Sequence, residues 1–283
     1  MQPPRVFLQA SWQAFVRFNS GDAWAIASHI ALSTLMALFP FLIVVASLSG
    51  FVGTQELADE VAQLLLEAWP SEVAGPLAAE FRSVITHTRG DVLTIGLVLA
   101  IYFASSGIES LRIALNRAYD VPETRSWWLT RLESVGYVLI GAIALLAMAF
   151  LVVLAPLIFA TIVRHALWLA PLWPMISLAR LAAVSVVLVC ALFIVHKWLP
   201  AGRRRFRDIV PGIVVTMVLW IVAGEIFGSY LARFAYTYVT YYAGLASVMM
   251  ALVFLYVTAS IFIYGGELNA AIRRESQRES NQT

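Results

Sequence analysis

The chain has 283 residues, of which 61% are hydrophobic and only 13% charged, with a net charge of +2 and a mean hydropathy of +0.82. A soluble domain carries about a quarter charged residues, so the composition excludes one and indicates an integral membrane protein. The single cysteine, Cys190, excludes an intrachain disulfide and, lying in an apolar run, is expected to pack rather than react.

Val6 to Phe18 mixes Phe7, Leu8, Trp12, Phe15 and Phe18 with Arg5, Gln9, Gln13 and Arg17, which suits a short N-terminal helix in the membrane interface. The first apolar stretch follows without a small-residue cleavage site, so it is expected to remain as an anchor. Span one covers about 27–52, with Pro40 near its middle as a helix kink and Ser33 and Thr34 available for polar contacts in the bundle. Residues 54–91 carry seven acids and two arginines. Two apolar stripes, Leu57 to Leu65 and Val73 to Ile85, flank Trp69-Pro70 and read as a helical extracytoplasmic cap over one mouth of the bundle. A cap that only shields the bundle is the alternative.

Further spans are expected at about 92–111, 135–163, 174–199, 209–232 and 243–269, the third containing Pro156 as a second kink. The fold class is therefore all-α: one six-helix transmembrane domain over 1–272, followed by a polar tail, 273–283, expected to be cytoplasmic and disordered. No internal repeat is evident.

Span two carries the most informative pattern. Its apolar run, Val92 to Ala104, has thirteen residues and must borrow Ser105, Ser106, Gly107 and Glu109 to cross a bilayer, which takes roughly 20. Tyr102, Ser105, Glu109, Arg112 and Asn116 recur at intervals of three and four and share one helix face. Such a face cannot meet lipid tails, so other spans must cover it or enclose water beside it. It is the expected working surface. The alternative is a span ending near Ser105, with Glu109 and Arg112 in water.

Six spans place both termini on one side. If that side is the cytoplasm, 14 of the 19 basic residues fall on inner segments and five on outer ones, following the positive-inside rule. Arg180 and Glu225 each lie six or seven residues inside an outer span end, about 10 Å deep at ~1.5 Å per residue, and are expected to pair. A static bridge between helices is the plainer role for that pair. Glu267 and Asn269 end span six after Gly265-Gly266, whose small size lets another backbone come close. Their depth matches Glu109 and Arg112, so Glu109, Arg112, Asn116 and Glu267 are expected to cluster at an inner gate, with ordinary interfacial anchoring as the alternative.

Arg203, Arg204, Arg205 and Arg207 lie between two spans, a setting that favours anionic lipid headgroups, or simple orientation of the chain, over nucleic acid. His29, His87, His165 and His196 show no metal-ligand spacing, and neither a GxxxxGK loop nor a GxSxG elbow is present. No catalytic residue, metal or cofactor is expected, and the chain does not read as an enzyme.

Three blocks, ALSTLMALFPFLIVVASL (31–48), SSGIESLRIALNRAYDVPETR (105–125) and the segments RDIVPGIVVTMVLW and YYAGLASVMMALVFLYVTASIFIYGGELNAAI within 207–272, resemble the YihY/BrkB family of bacterial inner-membrane proteins. Matching positions include Pro40, Leu111, Arg112, Asn116, Pro211, Gly212, Tyr230, Gly244 and Gly265 to Asn269, while Phe254 stands where the family usually has tryptophan. Arg180 and Glu225 match no family motif. The resemblance implies a six-helix fold in the cytoplasmic membrane. It brings no established activity: members have carried a ribonuclease label, which these residues do not support, and others have been linked to serum resistance or envelope lipid export.

The first functional reading is a transporter-like protein moving a lipid or other amphipathic solute, with the stripe from Ser105 to Asn116 lining its inner side. Lacking an ATP-binding motif, it would run downhill, couple to an ion gradient or borrow a partner's energy. The second is a membrane scaffold that holds partners, and the third a membrane-embedded enzyme. The expected partners are membrane lipids and the substrate itself, with room for a homo-oligomer or an envelope protein and none for nucleic acid.

Overall fold

Hydrocarbon offers no partner to a free amide, so a chain crossing it as single segments must bond each backbone group within its own helix. The computed structural model describes residues 4–52, 90–165, 171–242 and 245–282, and these are helical nearly throughout. In chain order they form α1 (Pro4–Ser20), α2 (Ala23–Val52), α3 (Gly90–Ala118), α4 (Trp127–Ala149), α5 (Ala155–His165), α6 (Trp173–Trp198), α7 (Phe206–Tyr242) and α8 (Leu245–Gln282). Among the described residues six stretches are long and apolar enough to cross a membrane: Ala23–Phe41, Thr94–Ala118, Trp127–Val152, Trp173–Trp198, Phe206–Arg233 and Val248–Arg278. The expected all-α, six-span architecture is present. Of the cap expected over 54–91, only Gly90 and Asp91 are described, and they open α3; the rest lies outside the described residues.

Several boundaries differ from expectation. α3 runs unbroken from Gly90 to Ala118, so no span ends at Ser105. The tail does not detach: α8 continues for 38 residues to Gln282, and Gln13 on α1 donates a 2.6 Å hydrogen bond to Glu275. At ~1.5 Å per residue, 38 residues reach about 57 Å, well beyond a ~30 Å hydrocarbon layer. The protruding end of α8 is held by α1, which packs Ala10 and Ala14 against Leu268, Ala271 and Ile272. α1 turns Phe7, Leu8, Trp12 and Phe15 outward, as an interfacial helix would. Cys190 is exposed on α6 rather than packed.

α8 is the hub, packing on α1, α2, α3 and α7. Its closest approach is to α7. A Cβ on Gly212 would collide with the Gly265 carbonyl and the Asn269 amide, and one on Gly265 with Thr216 and the Gly212 carbonyl. Asn269 secures the crossing by accepting a 2.6 Å hydrogen bond from the Gly212 N–H. α4 and α6 sit at the periphery, with large side chains such as Ile143, Leu146, Leu178 and Leu181 turned outward.

Between α4 and α5 the chain forms a π turn, Phe150–Leu154, just before Pro156. A proline has no N–H for the carbonyl four residues back, here Val152. Arg180 of α6 donates to that carbonyl at 3.4 Å. The expected Arg180–Glu225 pair does not form among the described residues. Ile209, Ile213 and Thr216 set the inward face of α7, and Glu225, about 100° per residue further round, falls on its exposed side.

Candidate functional site

The end of α3 builds a ladder of alternating charge. Arg131 of α4 pairs with Glu109 at 3.2 Å, and Glu109 with Arg112 one turn on at 2.8 Å. Arg112 faces Glu123 at 3.4 Å, Glu123 binds Arg125 at 2.8 Å, and Arg125 returns to Glu133 of α4 at 2.6 Å. Three arginines and three glutamates thus bridge α3, the turn after it and the first two turns of α4. Arg112, at the centre, is 5% exposed, an arrangement tolerable only because a carboxylate stands on either side. Asn116 extends the network: its Nδ2 donates to Glu123 at 3.0 Å, and its Oδ1 accepts from the Ala201 N–H at 2.7 Å. Arg125 also donates to the Leu199 carbonyl, so the turn between α6 and α7 is held from two directions.

α3 stops in a C-terminal motif in which Val121 N–H bonds the Asn116 carbonyl and Asp120 N–H the Arg117 carbonyl. Asp120 takes the left-handed position, φ 54°, usually left to glycine. Its carboxylate then bonds Arg17 and Arg274, each at 2.7 Å. Those two arginines also flank Glu267, at 3.5 and 3.8 Å. The single inner cluster expected of Glu109, Arg112, Asn116 and Glu267 is therefore divided. The first three belong to the ladder, Glu267 to a separate group with Arg17, Asp120 and Arg274, and Asn269 to the α7–α8 crossing.

The electrostatics outside the spans follow these contacts. Hydrogen bonds from Arg125 hold the Glu123 carboxyl down at about 2, and the same bonds push Arg125 up. Burial pushes the Tyr119 hydroxyl up to about 12, partly offset by the Asn269 amide and the Arg204 charge nearby, although neither Tyr119 Oη nor Asn269 Nδ2 completes a hydrogen bond within the protein. Arg204 is not a headgroup ligand. It lies buried over the Tyr119 ring at 4.0 Å and donates to the Pro200 and Ala201 carbonyls, while Arg203, Arg205 and Arg207 remain exposed. Burial pushes the Arg204 guanidinium down.

One face of the ladder opens on a crevice of about 800 Å³, within the usual size range of ligand pockets. α3 forms its floor with Tyr102, Ser106, Glu109, Ser110 and Ile113; α2 contributes Ala25, Ile26 and His29, and α4 contributes Trp127 and Arg131. The predicted stripe is split by this geometry. Tyr102, Ser106 and Glu109 line the crevice, whereas Ser105, Arg112 and Asn116 are buried between helices. Arg131 lies over the Tyr102 ring at 5.0 Å and donates to Ser106 and to the Tyr102 carbonyl. His29 Nδ1 meets the Ser110 hydroxyl at 2.8 Å. The site therefore offers a cation, a carboxylate, the Trp127 ring and an apolar wall within the spans.

A family model described as Virulence factor BrkB matches residues 14–283. The chain belongs to the BrkB family. Among its relatives is YfkH of Bacillus subtilis strain 168, whose ribonuclease-like name is itself provisional; it is 24% identical over 94% of this chain and 95% of its own. A UPF0761 membrane protein of Coxiella burnetii (strain Dugway 5J108-111) is 28% identical over 90% of each chain. Another, from Chromohalobacter salexigens, is 25% identical over 97% of this chain and 65% of its own. No solved structure matches the chain. The ladder, the Glu267 group and the crevice all fall inside the stretch matched to BrkB.

Sequence reasoning gives no site role to His29, Ser110, Glu123, Arg125, Trp127, Arg131 or Glu133. Arg131 carries a readable signal, since a basic residue one turn into an apolar span must find a partner. Glu123 and Arg125 read as part of a basic inner loop, and only the turn at Asp120 folds them back onto α3.

Proposed function

We propose that the protein is transporter-like and moves a lipid or other amphipathic solute across or within the cytoplasmic membrane, with both termini cytoplasmic. One observation carries this reading: Glu109 and Arg131 line an open crevice beside Ala25, Ile26 and Ile113, so charge and apolar surface face one space within the spans. A packed structural bridge would have no such space beside it. Movement would be downhill, ion-coupled or driven by a partner, and no catalytic step is assigned to these residues. The ribonuclease-like name of the Bacillus relative lends no role to the crevice. A static scaffold is favoured by the ladder that joins α3 to α4 directly through Glu109–Arg131 and, by way of the turn, through Arg125–Glu133, and the same experiment separates the two. Vesicles containing the purified protein should equilibrate a labelled phospholipid between leaflets faster than protein-free vesicles. Glu109→Ala should remove most of the gain, and the milder Ser106→Ala part of it. Equal rates with and without protein would overturn the proposal in favour of the scaffold.

A further inference from the structure

The ladder is not uniform. Its rungs from Arg112 to Glu109, Arg125 to Glu123 and Arg125 to Glu133 measure 2.8, 2.8 and 2.6 Å. Two rungs are longer: Arg112 to Glu123 at 3.4 Å, closed in between helices, and Arg131 to Glu109 at 3.2 Å, which lines the crevice; the other bonds of Arg131 run from 3.3 to 3.4 Å. Charge-assisted N–H···O bonds settle at about 2.7–2.9 Å, so Arg131 is oriented by many groups and tightly bound by none. Glu109 keeps its strong bond to Arg112 and has its second oxygen turned to the crevice rung.

Charge balance narrows what can enter. An anion of one sign approaching Arg131 meets the Glu109 carboxylate beside it, and a simple cation approaching Glu109 meets Arg131. A ligand carrying both signs on a short bridge can replace the 3.2 Å rung, giving each group a partner and leaving no charge unpaired. Trp127 adds an aromatic ring that attracts an ammonium group, the Tyr102 ring being taken by Arg131, and Ala25, Ile26 and Ile113 continue the wall as apolar surface suited to acyl chains. Resting on the lipid-moving reading above, we infer that the crevice selects a phospholipid with a zwitterionic headgroup, its phosphate on Arg131 and its ammonium on Glu109.

A photo-crosslinking residue at Ile113, on the crevice floor, tests this in the full chain. In nanodiscs of equal phosphatidylethanolamine and phosphatidylglycerol, adducts identified by mass should favour phosphatidylethanolamine several-fold. Glu109→Gln should erase or reverse that preference, and Arg131→Gln should lower both adducts. Soluble glycerophosphoethanolamine at the same concentration should not displace the lipid; displacement would overturn the assignment to a whole lipid. Equal adducts in the otherwise wild-type protein would overturn the headgroup selection while leaving lipid movement standing. Absence of lipid adducts would overturn both. The wild-type ratio decides the matter even if a variant fails to fold.

Discussion

Glu123 illustrates how one side chain couples the spans to the turns between them. It accepts hydrogen bonds from the Arg125 side chain at 2.8 and 2.9 Å, from the Arg125 N–H at 3.1 Å and from Asn116 at 3.0 Å. All favour the ionised form, which is why its carboxyl sits at about 2 rather than the ordinary 4.5. A depressed folded value contributes stability that is complete above the unfolded value and is lost as pH falls through the folded one. In detergent, the melting temperature of the protein should therefore exceed that of Glu123→Gln at neutral pH, by roughly 1 kcal/mol of stability given partial solvent screening. The difference should shrink between pH 4.5 and about 2. A gap that stays constant over that range would show that Glu123 acts by shape rather than charge. Arg180 makes a related point by a different route, because its partner is a backbone carbonyl that Pro156 leaves without its usual donor.

Among the elements, the α7–α8 crossing sets the strictest limits. At Gly212 and Gly265 an added methyl would meet backbone, which cannot move without parting the helices. At Gly266 it would meet Leu115 Cδ2 at 2.6 Å, the flexible tip of a side chain, and at Gly136 nothing within 4 Å. Folded yield and melting temperature in detergent should therefore rank Gly136→Ala at or above the parent, where helix propensity offers up to about 1 kcal/mol. Gly266→Ala should be mildly impaired, and Gly212→Ala and Gly265→Ala should lose about 1–3 kcal/mol or more. Comparable melting for all four would show that the crossing is not tightly packed. The close approach at Gly265-Gly266 is legible in the sequence because small residues in a span have one common use. The six spans are legible from apolar run length, and the face of Glu109 and Arg112 from helical period. Their partners are not: Glu123, Arg125 and Arg131 reach α3 only because Asp120 turns the chain back. Nor does an expected depth reveal direction: Glu267 meets Arg17 and Arg274 rather than Arg112, and Glu225 lies on the exposed side of α7.

At the scale of the molecule, the charge pattern carries the argument for which way the bundle faces. α1 packs along the far end of α8, so the two termini share a side. That side also gathers Arg17, Arg112, Arg117, Arg125, Arg131 and Arg274, all of them paired: Arg117 with Asp22, Arg17 and Arg274 with Asp120, and the rest within the ladder. Pairing makes the local net charge modest, yet orientation during insertion follows Lys and Arg near span ends and depends little on acids. Arg203, Arg205 and Arg207 are exposed beside the start of α7, with no ion pair among the described residues, and remain free for anionic headgroups. The fourteen-to-five distribution of basic residues is the basis on which we propose that the termini are cytoplasmic. With Cys190 replaced by alanine, a cysteine at Leu172, exposed just before α6 and at the opposite end of that helix from Arg205, should react with a membrane-impermeant maleimide on intact cells. One at Arg205 should react only after the membrane is opened. Labelling of Arg205→Cys on intact cells would invert the molecule, and would move the Arg131–Glu109 crevice from the inner to the outer leaflet.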